Sequence, residues 1–303
     1  MRSRLPWQAR LLARRLEGSI RERLPRLEGS PPAHFEGEAL SYRLEGETLE
    51  VCLHRGPCNE IGTTTLEELE QLAALLRAGA GGARAMILHS TEPKGFCAGA
   101  DLRELQAGLG LHRERGSSRW VAAGQVRGFI DRIHAVFDTI DMAPITTIAA
   151  LHGFCFGGGF ELALCCDLRI ADKSTRFAFP ELRLGLVPGF GGIPRLARDL
   201  GNGVVRDLLL TGRSLSAKRA HEVGLISQLV GRGESLRVAR LVAEQAARFD
   251  PRTTAAAKRF AKPLPREALE REKDLFIELM ASPVVEAALR KFVESDDLRP
   301  YLP

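Results

Sequence analysis

Two turns rich in small residues could bring backbone N–H groups against a ligand. Gly95–Leu102 reads Gly-Phe-Cys-Ala-Gly-Ala-Asp-Leu, and His152–Glu161 contains three consecutive glycines. Small residues let a ligand approach the backbone closely, and N–H groups at the start of a helix have no partner within that helix. Two such donors that converge on one carbonyl oxygen would form an oxyanion hole. The spacing also leaves open that the glycines only allow tight packing of a helix.

Two glutamates near these turns could move protons. Glu161 follows the triple glycine just inside a predicted helix, and Glu181 follows the apolar segment Phe177–Pro180. A carboxylate in apolar surroundings has a raised pKa and can hold a proton near neutral pH. Two simpler interpretations stay open here: Glu161 as a favourable charge at a helix N-terminus, and Glu181 as a solvated acid in a loop.

Other kinds of catalytic site are not indicated. Neither turn matches the G-x-G-x-x-G or Walker phosphate-binding pattern. The seven histidines are scattered without an i, i+4 pair, and no G-x-S-x-G segment suggests a serine nucleophile. None of the six cysteines belongs to a C-x-x-C pair, which predicts reduced thiols in a reducing compartment. We therefore expect no metal ion.

The elements that must position these residues alternate between strand and helix. Paired strands are predicted at Leu40–Leu44 and Thr48–His54, followed by a helix at Thr65–Arg77 and a strand at Ala85–Ser90. Further along, the predicted elements are a helix at Trp120–Ile140, a strand at Ile145–Leu151, a helix at Gly158–Ala163 and a strand at Leu168–Ala171. After Leu236 only helices are predicted, at Leu236–Phe249, Thr253–Ala261, Glu267–Met280 and Val284–Glu294. The pattern predicts an α/β fold with a largely parallel sheet.

The composition of the chain limits the kinds of partner that the protein is expected to bind. No apolar run approaches the roughly 18–20 residues that cross a bilayer. The net charge of +5 is too small and too dispersed to indicate a nucleic-acid-binding protein. Residues 1–33 form a basic, arginine-rich extension whose acids argue against a mitochondrial transit peptide and which lacks the apolar stretch of a secretory signal. We expect a cytoplasmic protein that binds neither membrane nor nucleic acid.

Three segments together resemble the enoyl-CoA hydratase/isomerase (crotonase) family: Gly95–Leu102, His152–Asp167 and Phe177–Leu200. The resemblance runs from about Leu44 to Phe292. It implies a spiral of β–β–α units over residues 34–235, followed by a helical region, residues 236–303, that helps to assemble homotrimers or homohexamers. It also implies an acyl-CoA substrate. Coenzyme A is then part of the substrate, and no separate cofactor is expected.

The motifs assign roles to individual residues by resemblance. The oxyanion N–H donors fall on Ala100 and Gly158, and the water-handling glutamates are Glu161 and Glu181. The residues expected to bind substrate are Ala98, Ala100, Asp101, Leu102, Arg103 and Gly158. Because both glutamates are present, hydration of a 2-enoyl-CoA is expected, with Glu161 activating water and Glu181 supplying the proton to Cα. Isomerisation, biosynthetic dehydration, thioester hydrolysis and a non-enzymatic binding role are the alternatives.

One segment departs from the pattern of close relatives. Gln106–Gly128 contains several glycines and a pair of serines, which predicts a long and mobile stretch. By resemblance, this region shapes the pocket for the acyl group, so the sequence leaves the size of the substrate open.

Overall fold

The computed structural model describes residues 32–114 and 119–295, so the arginine-rich extension lies almost wholly outside the described residues. The strands are β1 (His34–Glu36), β2 (Leu40–Glu45), β3 (Thr48–Leu53), β4 (Ala85–Ser90), β5 (Gly95–Cys97), β6 (Thr146–Leu151), β7 (Phe154–Phe156), β8 (Leu168–Asp172), β9 (Arg176–Ala178), β10 (Leu215–Ser216) and β11 (Gln228–Val230). The helices are α1 (Thr63–Arg77), α2 (Leu102–Glu114), α3 (Arg119–Asp141), α4 (Gly158–Leu164), α5 (Gly192–Leu200), α6 (Asn202–Thr211), α7 (Ala217–Glu222), α8 (Ser235–Ala247), α9 (Pro251–Ala261), α10 (Arg266–Met280) and α11 (Pro283–Glu294).

Seven strands form the larger sheet, in the order β1-β2-β3-β4-β6-β8-β11. The predicted hairpin is confirmed, because Leu40 of β2 pairs with Leu53 of β3 in antiparallel register. From β3 onward every neighbouring pair is parallel. Together with the helices that connect these strands, this order confirms the predicted α/β class.

The two faces of the larger sheet bury different layers. Alternate side chains of a strand point to opposite faces, so Ile87 and Met86 of β4 diverge. Ile87 packs with Ala239 of α8, whereas Met86 belongs to the main hydrophobic core on the other side. The larger sheet is therefore enclosed between α8 and the layer that contains the remaining core helices.

Four short strands form a second sheet, in the order β10-β9-β7-β5. Strands β5, β7 and β9 are parallel, with Gly95 opposite Phe154 and Phe154 opposite Arg176. Each of these strands is three residues long, too short to show the two-residue period by which strands are recognised. This sheet is absent from the sequence prediction for that reason, although it positions the candidate site.

The C-terminal helices cover one side of the molecule. Helix α10 packs against α3 and α5, and α11 packs against α2 and the 3₁₀ turn Pro180–Leu184. The four helices predicted after Leu236 are confirmed, and the last strand ends at Val230. Within residues 32–114 and 119–295, no helix combines the length and the apolar composition needed to span a membrane.

The stretch Gln106–Gly128, predicted to be long and mobile, is helical wherever the structure describes it, and its mobility stays a prediction. Helix α2 continues to Glu114, and α3 begins at Arg119. Leu102 is buried and Leu105 packs partly against the core, so apolar residues three apart hold the start of α2. Their burial outweighs the cost of about 1 kcal/mol for one glycine inside a helix.

Candidate active site

The three segments singled out in the sequence leave the small sheet at the same edge. The turn Ala98–Ala100 follows β5, helix α4 follows β7 after Gly157, and Glu181 lies three residues after β9. Because β5, β7 and β9 are parallel, their carboxyl ends lie side by side. Ligands of parallel sheets commonly bind at such an edge, since the loops there converge.

The turn after β5 touches the start of α4. Gly99 has a φ of +108°, and a Cβ there would lie 3.1 Å from both the Gly158 nitrogen and the Phe156 carbonyl oxygen. A Cβ on Gly158 would in turn lie 3.5 Å from the Ala100 nitrogen. Among the described residues, neither the Ala100 nor the Gly158 N–H donates a backbone hydrogen bond. Two such donors from separate turns are what an oxyanion hole requires.

Glu161 lies in the first turn of α4 and is 2% exposed. Its Oε1 accepts the N–H groups of Phe190 and Gly192, each at 2.8 Å. A Cβ on Gly192 would lie 2.7 Å from the Glu161 side chain, so glycine is needed there. Burial raises the pKa of Glu161 to about 7, against the opposing effect of the two N–H donors and the Arg195 charge. Glu161 therefore titrates close to neutral pH.

Glu181 lies in the 3₁₀ turn that follows β9. The residue is half-buried, but its Oε2 is fully buried and has no hydrogen-bond partner within the part of the chain that the structure describes. Its Oε1 lies 2.6 Å from the place that a Cβ on Gly157 would occupy. Burial, and then the charge of Glu161, raise the pKa of Glu181 well above its ordinary value. Interpreting Glu181 as a solvated loop acid is therefore wrong.

Three buried side chains hold the loop Gly189–Ile193 beside Glu161, and none of them was singled out in the sequence. Arg195 donates to two carbonyl oxygens of this loop and pairs with Asp141 at 2.8 Å. His134 Nε2 lies 2.8 Å from the Gly189 carbonyl oxygen. Burial lowers the pKa of His134 to about 3, so the neutral ring donates this bond through Nε2. From the other side, Glu272 of α10 accepts two N–H groups of the loop.

Of the other four residues predicted to bind substrate, three lie at the site and one lies outside it. Ala98 and Leu102 line the cavity between the two glutamates. Asp101 lines the adjoining pocket, where it pairs with Arg55 at 3.0 Å and accepts an N–H of the first turn of α2. Arg103 is exposed, lies over an aromatic ring of α11, and lines neither cavity. The structure thus brings Ala98, Asp101 and Leu102 to the site and leaves Arg103 outside it.

The space between the glutamates adjoins a larger apolar pocket. The inner cavity, of about 50 Å³, is lined by Ala100, Gly158, Glu161 and Glu181 among others. The adjoining pocket, of about 180 Å³, is lined by the apolar side chains of Ile61, Leu105, Val126, Phe129, Ile130, Phe190 and Phe276. In the described parts of the chain, no three His, Cys, Asp or Glu residues are grouped as metal ligands would be. The site therefore offers two N–H donors, two carboxyl groups and an apolar recess.

Known proteins are similar to this chain in sequence. Fatty acid oxidation complex subunit alpha of Vibrio cholerae is 36% identical over 189 residues, which are 62% of this chain and 25% of the Vibrio protein. Enoyl-CoA hydratase domain-containing protein 2, a mitochondrial protein of Homo sapiens, is 39% identical over 176 residues, 58% of this chain and 56% of the human protein. This chain thus matches only a quarter of the first relative's length and just over half of the second's.

A solved structure extends the likeness to three dimensions. The crystal structure of an enoyl-CoA hydratase from Bacillus anthracis has a TM-score of 0.66 to this chain at 29% identity, and covers 84% of this chain and 96% of its own. The family model for enoyl-CoA hydratase/isomerase matches residues 45–299, a range that contains every residue of the candidate site. The chain therefore belongs to the enoyl-CoA hydratase/isomerase family.

Proposed function

We propose that the protein is an enoyl-CoA hydratase, which adds water across the double bond of a 2-enoyl-CoA to give a 3-hydroxyacyl-CoA. The observation that carries the proposal is the pair of carboxyl groups, Glu161 and Glu181, facing one cavity beside the Ala100 and Gly158 amides. Shifting a double bond or hydrolysing a thioester does not by itself require both carboxyl groups, whereas adding water to two carbons requires a base and an acid.

The amides act on the thioester. With its carbonyl oxygen between the Ala100 and Gly158 N–H groups, negative charge that develops on this oxygen during attack at Cβ is stabilised. Losing one donor of this kind typically costs about 3 kcal/mol of transition-state stabilisation. The donors assist because they bind the enolate-like transition state more strongly than the ground-state carbonyl.

The two carboxyl groups divide the proton transfers. Glu161, with a pKa of about 7 and two N–H groups on one oxygen, is available as the ionised base that deprotonates water. Burial and the charge of Glu161 raise the pKa of Glu181, which favours the protonated carboxyl group that can deliver a proton to Cα. Two neighbouring acids whose pKa values are pushed apart are a recurrent source of an acid–base pair. In reverse, the same groups dehydrate a 3-hydroxyacyl-CoA.

The pocket favours an apolar acyl group. Phe190 and Phe276 line both cavities, so an acyl chain that leaves the inner cavity enters the apolar recess. The charged side chains described in that recess are Asp101 and Glu104, which would repel a second carboxylate on the acyl group. 2-Enoyl-CoA thioesters with an apolar acyl chain that carries no second carboxylate are therefore the proposed substrates.

The experiment follows crotonyl-CoA hydration by loss of the ultraviolet absorbance of the enoyl thioester, with the product identified by mass. Wild type should form 3-hydroxybutyryl-CoA, and Glu161→Gln and Glu181→Gln should each lower kcat about 10²–10⁴-fold. Glu244→Gln, an exposed position on α8, makes the same chemical change away from the site and should leave kcat unchanged. Near-normal hydration by both site variants would refute the assignment of the pair. Consumption of a 3-enoyl-CoA without hydration of the 2-enoyl isomer would favour an isomerase.

A further inference from the structure

The four consecutive amides of Phe190–Ile193 alternate between two buried carboxyl groups. The first and third N–H groups donate to Glu161 Oε1 at 2.8 Å each. The second and fourth donate to Glu272, at 2.6 Å to Oε1 and 2.8 Å to Oε2. Glu161 comes from α4 and Glu272 from α10, so these four amides hold the loop between two helices.

The geometry couples the two carboxyl groups through the backbone. Each peptide unit is planar, so fixing the second and fourth amides restricts the directions of the first and third. Gly191 has a φ of +100°, which lets the chain turn sharply at the centre of the loop. The carbonyl oxygens of the same loop are held by Arg195 and His134. Glu272 therefore completes the restraint on the amides that orient Glu161.

The burial of Glu272 carries a cost in stability. It is 5% exposed, and burial together with the charge of Glu161 raises its pKa well above the ordinary value. Within the described residues it forms no ion pair with a lysine or arginine, unlike its buried neighbour Lys273, which pairs with Asp131 at 2.8 Å. A buried acid beside a second acid is costly, and the two N–H groups that Glu272 accepts offset part of that cost.

We propose that Glu272 is a positioning residue. By accepting the Gly191 and Ile193 N–H groups, it fixes the directions of the Phe190 and Gly192 N–H groups. Those two N–H groups then hold the Glu161 carboxylate in the orientation that catalysis requires. The inference rests on the proposed function only in taking Glu161 as the base. It assigns a task in the reaction to helix α10, which otherwise borders the site through Phe276.

Nuclear magnetic resonance of the Phe190 and Gly192 amides tests the restraint on the loop and does not require enzymatic activity. The Phe190 and Gly192 amides do not touch Glu272, yet in Glu272→Gln and Glu272→Leu their proton resonances should move upfield and their exchange with solvent should accelerate. Selective ¹⁵N labelling of phenylalanine and glycine resolves them, and Phe190→Leu assigns the first. Glu278→Gln, an exposed glutamate on the same helix, is the matched control and should leave both resonances in place. Any substitution nearby can move a resonance, so faster solvent exchange at both amides in folded molecules is the change that reports a lost restraint.

Kinetics supply the second readout. With crotonyl-CoA, Glu272→Gln should lower kcat about 10–100-fold, as misplacement of a catalytic group does, while KM stays within about twofold. Rates are normalised to the folded fraction from denaturant titration, so that a smaller amount of folded protein is not mistaken for a lower kcat. Glu272→Asp keeps the carboxyl group on a side chain that is one carbon shorter, and should fall between wild type and Glu272→Gln.

The outcomes separate this inference from the proposed function. Unchanged solvent exchange at the Phe190 and Gly192 amides in Glu272→Gln would overturn the positioning role, whatever the activity. Faster exchange in a protein whose wild type hydrates no 2-enoyl-CoA would refute the hydratase proposal and leave the coupling of the loop established. If Glu272→Leu fails to fold, the shape-conserving Glu272→Gln carries the test. A normal kcat in Glu272→Gln with faster exchange would mean that the orientation of Glu161 does not limit the rate, and would also overturn the positioning role.

Discussion

At the scale of single residues, the two site glutamates differ in what surrounds their oxygens. Glu161 Oε1 accepts two N–H groups, which favour the ionised form, whereas Glu181 Oε2 is buried without a partner among the described residues. Both carboxyl groups are desolvated, and their mutual repulsion prevents both from ionising easily. Two glutamates that line the same cavity can therefore act differently, one as a base and the other as an acid.

Gly192→Ala should disable Glu161 without touching its carboxyl group. The added methyl group would lie 2.7 Å from Cγ and 2.9 Å from Oε1 of Glu161, and 2.9 Å from the Phe179 ring, so something must shift. A displacement of about 1 Å can cost about 100-fold in rate, so kcat for crotonyl-CoA should fall by roughly that factor with little change in KM. Steady-state kinetics on purified variants measures the effect.

The matched control for that variant is Gly203→Ala. Gly203 lies in α6, and a Cβ there meets nothing within 4 Å. The substitution should leave kcat unchanged and stabilise the protein by about 0.5–1 kcal/mol, because alanine loses less conformational entropy in a helix. Full activity in Gly192→Ala would show that Glu161 tolerates displacement and would weaken its assignment as the base.

The pH dependence of hydration should be bell-shaped. Glu161 acts as a base only when ionised, so kcat/KM should decrease as the pH falls below its pKa of about 7. Glu181 donates only when protonated, so kcat/KM should decrease again as the pH rises through its raised pKa. Initial rates at low crotonyl-CoA concentration measure both limbs, which are properties of the coupled pair. A rate independent of pH between about 5 and 8 would contradict a base with this pKa.

At the scale of elements, every prediction that succeeded concerns an element of five residues or more. Strand β4 matches its prediction at both ends, and α10 differs by one residue at its start. The three-residue strands of the small sheet have no period to detect, so the convergence of the site segments came from family resemblance. Glu272 was missed because the amides it accepts lie about 80 positions away. A usable signal existed: Glu272 interrupts the apolar stripe of α10 between Leu269 and Phe276.

Helix α3 is joined to α5 and α9 through one buried aspartate, and removing its charge should destabilise the protein. Asp141 contacts Arg195, Arg198 and Lys262 at 2.8–2.9 Å. Burial alone would raise the pKa of Asp141, but these three cations hold it below the ordinary range. Its stabilisation is therefore present above the unfolded-state pKa and is lost as the pH falls towards the folded-state pKa.

Asp141→Asn should lower the free energy of unfolding by about 1.5–3 kcal/mol at neutral pH, because three buried cations lose a charged partner. Each cation keeps a second carboxylate: Asp138 for Arg195, Asp199 for Arg198 and Asp167 for Lys262. Urea titration measures the change. Asp207→Asn is the control, since Asp207 pairs with Arg213 on the surface and should cost at most about 1 kcal/mol. Equal midpoints for the two variants would show that the second carboxylate partner of each cation is sufficient without Asp141.

At the scale of the whole molecule, α9 has little support from the part of the chain that the structure describes. None of its residues is buried, and it is attached to the body through Lys258 and Lys262, which pair with Asp167. An open groove of about 780 Å³ runs between α9 and the body, lined in part by Phe249. A helix so poorly packed is marginal by itself, because most helical stability comes from tertiary packing.

We expect a second copy of the chain to pack against α9. This agrees with the trimers or hexamers that the family resemblance implies. Phe260 of α9 is 91% exposed, and burying such a ring in an interface stabilises it by about 1.5–3 kcal/mol. Light scattering after size exclusion should give three or six times the chain mass of 33.2 kDa for wild type and a smaller assembly for Phe260→Asp. Leu210→Asp, at a position 75% exposed on α6, should assemble like wild type. A monomeric wild type would refute the assembly, whereas an intact assembly in Phe260→Asp would place the interface on a surface other than α9.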